Sequence, residues 1–322
     1  MYKKILVPLD GSQRAEAILP HVENLAKHDE ANVVFTQVIE PATRSAILNL
    51  EQDSEVAFKT QKIDTTQKYL TGWKDQFQEQ GLSAEILLLR GVAVEAILYA
   101  VEATKTQLVA MTSQGRTGLA QVFYGSVASG VLNRVNCPIL LVRPETKPST
   151  ETNKRILVPL DGSIRSETVI PHVEGIATLY NAKITLVRIV RTGYQTTVFA
   201  DLEQDIKEEL VSEKLFNKLG QHQEIERVKE ARQYLLNWQK QLQDQGLDVE
   251  VTLMYGRPID SIIKIAEEIN ADLIAMTSKG RTGLEQVFYG SVASGILNRS
   301  TRPLLLVPAR KAVDEAPVNN FV

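Results

Sequence analysis

The chain has little of several features that define specialised protein classes. It carries a single cysteine, Cys137, among 322 residues, which excludes an intramolecular disulfide framework and a cysteine-rich zinc site. No run of about 18 apolar residues occurs, so the sequence predicts no membrane-spanning helix. A net charge of −3 and a pI near 5.9 lack the basic excess of nucleic-acid-binding proteins. We therefore expect neither a nucleic acid nor a membrane among its partners.

The composition is that of an ordinary globular protein. Hydrophobic residues make up 43% of the chain and charged residues 23%, a balance that allows sizeable cores to be buried. The length suits two domains at the usual ~150 residues each. Residues 1–5 lead directly into a strand-like segment with no signal peptide before it, so we expect a cytosolic protein.

The chain repeats itself. Residues 3–14, KKILVPLDGSQR, match residues 154–165 at 10 of 12 positions, and residues 110–134 match residues 275–299 at 22 of 25. The offset between the copies grows from 151 to 165 residues, which places about 14 additional residues of the second copy within roughly 191–225. Because this period is far longer than that of a solenoid, each copy is predicted to be a whole domain.

Composition also predicts the domain boundaries. Residues 145–153 are polar, contain Pro148 and show no apolar periodicity, which is typical of a linker. The predicted domains are therefore 1–144 and 154–309, followed by a loosely ordered tail over 310–322.

Each half alternates strand and helix patterns. Strands with continuous apolar runs that alternate with helices indicate an α/β fold, with a parallel sheet covered on both faces. Ligands bind such sheets at the carboxyl ends of the strands. In the first half the predicted strands are 5–7, 33–39, 84–89, 108–111 and 139–142. The predicted helices are about 14–28, 60–80, 93–104 and 126–134.

Candidate binding residues fall at those carboxyl ends in both halves. Glycines let the backbone approach a phosphate or adopt a positive φ, and a helix N-terminus offers unpaired N–H groups to an anion. A carboxylate after the first strand can accept a hydrogen bond from a base amino group or a ribose hydroxyl. The candidates are Asp10, Gly91, Gly115, Gly118, Gly125 and Ser126, and, in the second half, Asp161, Gly256, Gly280, Gly283, Gly290 and Ser291.

A purely structural interpretation of the same residues is also open. Asp-Gly-Ser is an ordinary turn and helix N-cap, Ser126 could cap its helix, and glycines after strands make tight turns. The sequence lacks the Gly-Lys-[Ser/Thr] of a Walker A loop, and its glycine cluster follows the fourth strand rather than the first, unlike a dinucleotide fingerprint. His21 and His172 have no second ligand at metal spacing, so we expect no metal site there.

Both halves start with LVPLDGS, contain a GRTG…GSVASG block and close on NCPILLV or TRPLLLV. In these motifs and their order, the chain resembles tandem universal stress proteins. The resemblance implies two Rossmann-like domains of the adenine nucleotide alpha hydrolase-like type, each with a five-stranded parallel sheet of order 3-2-1-4-5 flanked by helices. It also implies that the last strands pair antiparallel in an intramolecular pseudo-dimer, with further homo-oligomerisation left open.

The resemblance further implies an adenine nucleotide site. ATP-binding members use G-x2-G-x9-G-[S/T] for ribose and phosphates. These roles would fall to Gly115, Gly118, Gly125 and Ser126, and to Gly280, Gly283, Gly290 and Ser291. Asp10 and Asp161 would face the adenine, and Val38 and Ile189 would contact it through backbone atoms. One departure is common to both halves, because six residues rather than nine separate the second and third glycines.

Three functions are left open by these residues. The first is a stress-response sensor or regulatory module that binds ATP or a related adenine nucleotide, with or without Mg²⁺. The second is a slow ATP hydrolase that uses the same pocket, although no residue supplies an evident catalytic base, nucleophile or metal triad. The third is a nucleotide-free interaction scaffold whose segments 41–60 and 191–225 contact partners.

Overall fold

A computed structural model describes six stretches of the chain. The chain divides into two compact units. The described residues are 1–41, 52–113, 125–146, 154–190, 222–278 and 290–309. The first unit comprises Met1–Ser149 with Thr301–Pro308, and the second comprises Thr150–Ser300 with Ala309–Val322. Most of the predicted linker and all of the predicted tail lie outside the described residues, so those boundaries stay predictions.

Strands and helices alternate in both repeats, as the sequence predicts. The first repeat contains β1 (Lys4–Pro8), α1 (Gln13–Glu16), α2 (Leu19–Asp29), β2 (Asn32–Ile39), α3 (Gln52–Glu79), β3 (Ala84–Arg90), α4 (Ala93–Thr104), β4 (Leu108–Thr112), α5 (Ser126–Arg134) and β5 (Ile139–Val142). The second contains β6 (Arg155–Pro159), α6 (Ile164–Glu167), α7 (Ile170–Tyr180), β7 (Lys183–Val190), α8 (His222–Asp244), β8 (Val249–Tyr255), α9 (Pro258–Glu268), β9 (Leu273–Thr277), α10 (Ser291–Arg299) and β10 (Leu304–Val307).

The sheets are mostly parallel and flanked by helices, which confirms the predicted fold class. In the first unit the parallel strands follow the order β3-β2-β1-β4-β5. In the second unit four strands run parallel in the order β8-β7-β6-β9. The fifth strand of the second repeat, β10, belongs to the first unit. There it pairs antiparallel with β5, with Leu305 opposite Leu140.

Apolar side chains on both faces explain why these segments form internal strands. In β1 the three residues Ile5, Leu6 and Val7 are completely buried, and a strand covered on both faces has no polar alternation. The amphipathic helix α3 buries Phe77 against Phe35 of β2, with their rings edge to face and 4.9 Å between centroids. Among the described helices, none is both long and apolar enough to cross a lipid bilayer.

The single helix predicted over 14–28 is wrong, because the chain forms two helices there. α1 and α2 are separated at residues 17–18, and Pro20 stands in the first turn of α2. Proline has no N–H to donate to the carbonyl of Glu16, four residues earlier, so an unbroken helix would lose that bond. Pro171 has the same effect between α6 and α7.

Candidate functional site

The turn after the first strand is built in the same way in both units. Asp10 Oδ1 accepts hydrogen bonds from the Ser12 N–H at 2.9 Å and from its hydroxyl at 2.6 Å. Ser12 Oγ in turn accepts the Ala15 N–H at 3.2 Å, and the turn over 161–166 repeats all three distances. Each aspartate therefore has the structural role that Asp-Gly-Ser predicts. The turn also holds its carboxylate at the carboxyl end of a central strand.

The helix after the fourth strand starts without a side-chain cap in both units. Gly125 is the N-cap of α5, and its N–H donates to the Ser113 carbonyl at 2.8 Å; the equivalent bond at Gly290 measures 2.9 Å. The interpretation of Ser126 as a cap is wrong, because Ser126, like Ser291 in α10, is the first helical residue. The N–H groups of the first turn and the positive end of the helix dipole can therefore receive an anion.

In the second unit a cavity brings four of the predicted residues together. It has a volume of about 590 Å³ and is lined by Asp161, Ile189, Gly290 and Ser291, among others. The residues after β6, near the end of β7 and at the start of α10 thus face one space. Leu160, Val190, Ile262 and Met276 add apolar surface to its walls. Charged side chains, among them Arg188, Arg227 and Glu230, line it as well. The volume of this cavity is in the range of small-molecule sites.

In the first unit the described cavity is arranged differently. It has a volume of about 570 Å³ and lies between the ends of the first two strands and helix α3. Its lining residues are Asp10, Gly11, Gln37, Gln61, Lys62, Thr65, Thr66 and Tyr69. Of the predicted residues that the structure describes, Asp10 lines this cavity, whereas Val38, Gly125 and Ser126 are not among its lining residues.

Gln37 is a lining residue that the sequence reasoning missed. It is 9% exposed, and its Oε1 has no hydrogen-bond partner within the described part of the chain. The sequence signal that could have identified it is a glutamine inside a strand-like run of apolar and threonine residues, VVFTQVI over 33–39. A buried acceptor without a donor is costly to the folded state.

Arg188 occupies the position of Gln37 in the second repeat, and it was missed as well. Its guanidinium lies over the ring of Tyr234, 5.0 Å from the centroid. A Cβ added at Gly162, where φ is +81°, would lie 2.9 Å from Arg188 Cζ. The arginine thus packs between the aromatic ring and the turn, and it lines the cavity together with Asp161.

A tyrosine on the long helix faces each first-strand turn. Tyr69 donates a hydrogen bond from its hydroxyl to Glu16 Oε1 at 2.9 Å. Burial, and then this glutamate, raise the pKa of Tyr69 above its ordinary value. Burial and Glu167 likewise raise the pKa of Tyr234. Both hydroxyls therefore keep their protons to a higher pH than an exposed tyrosine does.

The remaining predicted residues fall beside the cavities or outside the described residues. Gly91 and Gly256 follow β3 and β8 with φ of 129° and 128°, where a side chain would be strained. Neither glycine lines either of the two cavities described above. The loop glycines Gly115, Gly118, Gly280 and Gly283 lie outside the described residues.

His21 has a structural neighbour rather than a cluster of metal ligands. Its Nε2 lies 3.3 Å from the carbonyl oxygen of Thr146. Within the described ranges no group of three or more histidine, cysteine or acidic side chains is placed to hold a metal ion.

Comparisons with known proteins agree on one family for both repeats. The model of the universal stress protein family matches residues 1–143 and 152–308. The universal stress protein MJ0577 of Methanocaldococcus jannaschii is 28% identical over 168 residues, which are 49% of this chain and 97% of that protein. A second protein of that organism, MJ0531, is 30% identical over 148 residues, 46% of this chain and 85% of its own.

A solved structure extends the likeness to both repeats together. The universal stress protein from Archaeoglobus fulgidus DSM 4304 has a TM-score of 0.65, and the match covers 95% of this chain and 96% of that one. At 19% identity, this likeness supports the shared fold.

Proposed function

The chain belongs to the universal stress protein family, and on that basis we propose that it binds ATP or a related adenine nucleotide as a stress-response sensor or regulatory module. The observation that carries this proposal is the cavity of the second unit, which is lined by Asp161, Ile189, Gly290 and Ser291. Sequence reasoning selected these four residues for nucleotide contacts from three separate segments of the chain.

The chemistry of the cavity fits each part of such a ligand. The phosphates would lie at the start of α10, where uncapped N–H groups and the Ser291 hydroxyl can donate hydrogen bonds. The Asp161 carboxylate would accept from the base amino group or a ribose hydroxyl, and Ile189 would border the adenine. The loop glycines Gly280 and Gly283 complete the proposed phosphate contacts.

We assign the same roles to the first unit. Asp10 and Val38 would meet the adenine, and Gly125 and Ser126 would hold the phosphates. The loop glycines Gly115 and Gly118 match Gly280 and Gly283 in this assignment, and Gly91 and Gly256 would border the two sites. Any Mg²⁺ would arrive with the nucleotide as a counter-ion of its phosphates.

The proposal also covers the assembly of the two repeats and the cellular location of the protein. An intramolecular pseudo-dimer through the last strands is supported by the antiparallel pairing of β10 with β5. Further homo-oligomerisation is left open, and the expected cytosolic location is kept as part of the proposal.

The test begins with the nucleotide content of gently purified protein, by acid extraction and chromatography, followed by calorimetric titration with ATP. The variants Ser126→Glu and Ser291→Glu place a carboxylate at the first residue of α5 and α10. A negative charge there suits the helix dipole, so folding is retained, but the charge repels phosphate. We expect each variant to weaken ATP binding at its own site by at least about tenfold.

The matched controls are Ser126→Gln and Ser291→Gln, which have the same size without the charge. They lose the serine hydroxyl but keep the backbone donors at the helix start, so each is expected to weaken ATP binding less than the matching glutamate variant does. Phosphate release measured in the same samples would detect slow hydrolysis. If the purified protein carries no nucleotide and does not bind added ATP, the result would contradict the proposal and favour the interaction scaffold.

A further inference from the structure

The long helix of each unit places a basic side chain on the wall of the cavity. Lys62 of α3 lines the first cavity, and Arg227 of α8 lines the second. The two positions are equivalent, because they are separated by the same 165 residues as Trp73 and Trp238. A ligand that fills either cavity therefore meets a positive charge from the same place on the long helix.

This charge is common to both units although the wall beside it differs. Three positions after the basic residue, Thr65 on α3 corresponds to Glu230 on α8, and both line their cavities. Lysine and arginine differ in shape and in the geometry of their donors, but both carry a positive charge at neutral pH. The property that the two positions share is thus the charge itself.

The two cations are available to a ligand. Both side chains are exposed, and within the described part of the chain neither forms an ion pair. Glu230 follows Arg227 by one turn of α8 without pairing with it, and the preceding acid, Glu226, pairs with Lys229 at 2.9 Å. An anion can therefore replace the water around Lys62 or Arg227 without first breaking an ion pair.

We propose that Lys62 and Arg227 bind a phosphate group of the nucleotide, so that the long helix forms part of each binding site. The proposal rests on the proposed function, which supplies a ligand whose negative charge is concentrated on its phosphates. Both side chains can donate charge-assisted hydrogen bonds to phosphate oxygens.

The surroundings of the two cations fit this role in different ways. In the second unit Arg227 borders the same space as Gly290 and Ser291 at the start of α10, so the helix start and the guanidinium attract the same phosphate chain. In the first unit the described cavity does not include the start of α5, and Lys62 is the basic residue among its lining side chains.

The experiment compares ATP, AMP and adenosine, which share the base and ribose but differ in charge. Calorimetric titrations use the full chain with one site silenced at a time, so that Ser291→Glu leaves the first site to report and Ser126→Glu leaves the second. Lys62→Met and Arg227→Met then remove the charge and keep an unbranched side chain. We expect each to weaken ATP binding at its own site by about tenfold, as for the loss of a charge-assisted hydrogen bond. AMP should lose less, and the affinity for adenosine should stay within about twofold.

Two kinds of control separate a phosphate contact from a change in overall charge. Lys68 on α3 and Lys240 on α8 are exposed and line neither cavity. They lie about 9 Å and about 20 Å along the helix from Lys62 and Arg227, so Lys68→Met and Lys240→Met should leave ATP binding within about twofold. Lys62→Arg and Arg227→Lys keep the charge and should keep the ATP affinity within about threefold.

The outcomes distinguish this inference from the function on which it rests. If a protein that binds ATP keeps its affinity in Lys62→Met or Arg227→Met, the inference is overturned for that unit. An equal loss for adenosine, or an equal loss in the control variants, would overturn it as well. Failure of the parent protein to bind ATP at either site would overturn the inference and the proposed function together. Thermal unfolding of each variant without ligand should match the parent, because these side chains are exposed, and it verifies that a lost affinity does not come from an unfolded unit.

Discussion

One cavity in the second unit extends from the start of α10 to Arg188, whereas the described cavity of the first unit contains the end at Asp10 and Gln37. The turn and the helix starts around these cavities have the same hydrogen bonds in both units. The two cavities differ in lining side chains outside the repeated blocks. For example, Thr65 on α3 lines the first cavity, and Glu230 at the equivalent position on α8 lines the second. A duplicated backbone can thus keep its motifs while its cavity walls change independently.

The largest predicted difference between the units appears at alkaline pH. Burial raises the pKa of Tyr2 and Tyr69, and it raises the pKa of Cys137 to about 11; in the second unit burial raises the pKa of Tyr234. A raised pKa means that the folded state holds the proton more tightly. The resulting stability is fully present below the unfolded pKa and is lost as pH rises toward the folded value.

Above about pH 9 to 10, the free energy of unfolding should therefore fall faster in the first unit. The slope is at most about 1.4 kcal/mol per pH unit for each group, and solvent screening lowers it for the half-buried Tyr69 and Tyr234. Urea unfolding between pH 7 and pH 11 under reducing conditions measures it. Trp73 and Trp238 are the two tryptophans of the chain, so Trp238→Phe and Trp73→Phe each leave one unit to report.

Tyr2→Phe serves as the control, because it removes a titrating hydroxyl while keeping the buried ring. The first unit of this variant should lose stability less steeply as pH rises. Parallel pH dependence of the two units in the parent protein would contradict the assignment of these groups.

An intermediate effect on stability is predicted when methionine is placed at the same position in both units. Gln37→Met removes a buried acceptor without a partner, and should stabilise the ligand-free first unit by about 1–3 kcal/mol. Arg188→Met removes the guanidinium from the face of Tyr234, and should destabilise the second unit by about 0.5–2 kcal/mol. Urea unfolding without ligand, read at the tryptophan of each unit, measures both changes. Changes of the same sign in the two units would show that the positions do not differ in this way.

The smallest effect on stability is predicted for an ion pair that both units share. Glu95 on α4 pairs with Arg134 on α5, and Asp260 on α9 pairs with Arg299 on α10. All four side chains are about half exposed, and exposed ion pairs contribute little to stability. Glu95→Gln and Asp260→Asn should each lower the thermal midpoint slightly and by similar amounts, and the loss should disappear in about 1 M salt. A large loss in one unit alone would mean that this helix contact has also diverged.

Local patterns in the sequence were enough for much of the fold. α5 and β5 have the predicted bounds because a glycine precedes the helix and an uninterrupted apolar run forms the strand. The break before α2 could also have been predicted, since Pro20 is visible in the sequence. The turn aspartates and the helix-start serines were identified because turns and helix starts have local signals.

The cavity walls needed tertiary information. Buried strands lack the polar alternation that would show which side of β2 carries Gln37 toward a cavity. The contact between Arg188 and Tyr234 joins β7 to α8 across the segment that contains the additional residues of the second copy. The position of α8 relative to β7 could not be predicted from the spacing of residues in the sequence. The loop glycines lie outside the described residues, so the effect of the shortened loop stays a prediction.

The pairing of β10 with β5 has a consequence for synthesis of the chain. The strand that covers the edge of β5 in the first unit follows nearly the whole second repeat in the sequence, so it leaves the ribosome after that repeat. At bacterial or eukaryotic elongation rates that delay is roughly 10 to 30 seconds. During this time the apolar strand Ile139–Val142 lacks its final partner, and its free edge is open to pairing with another strand.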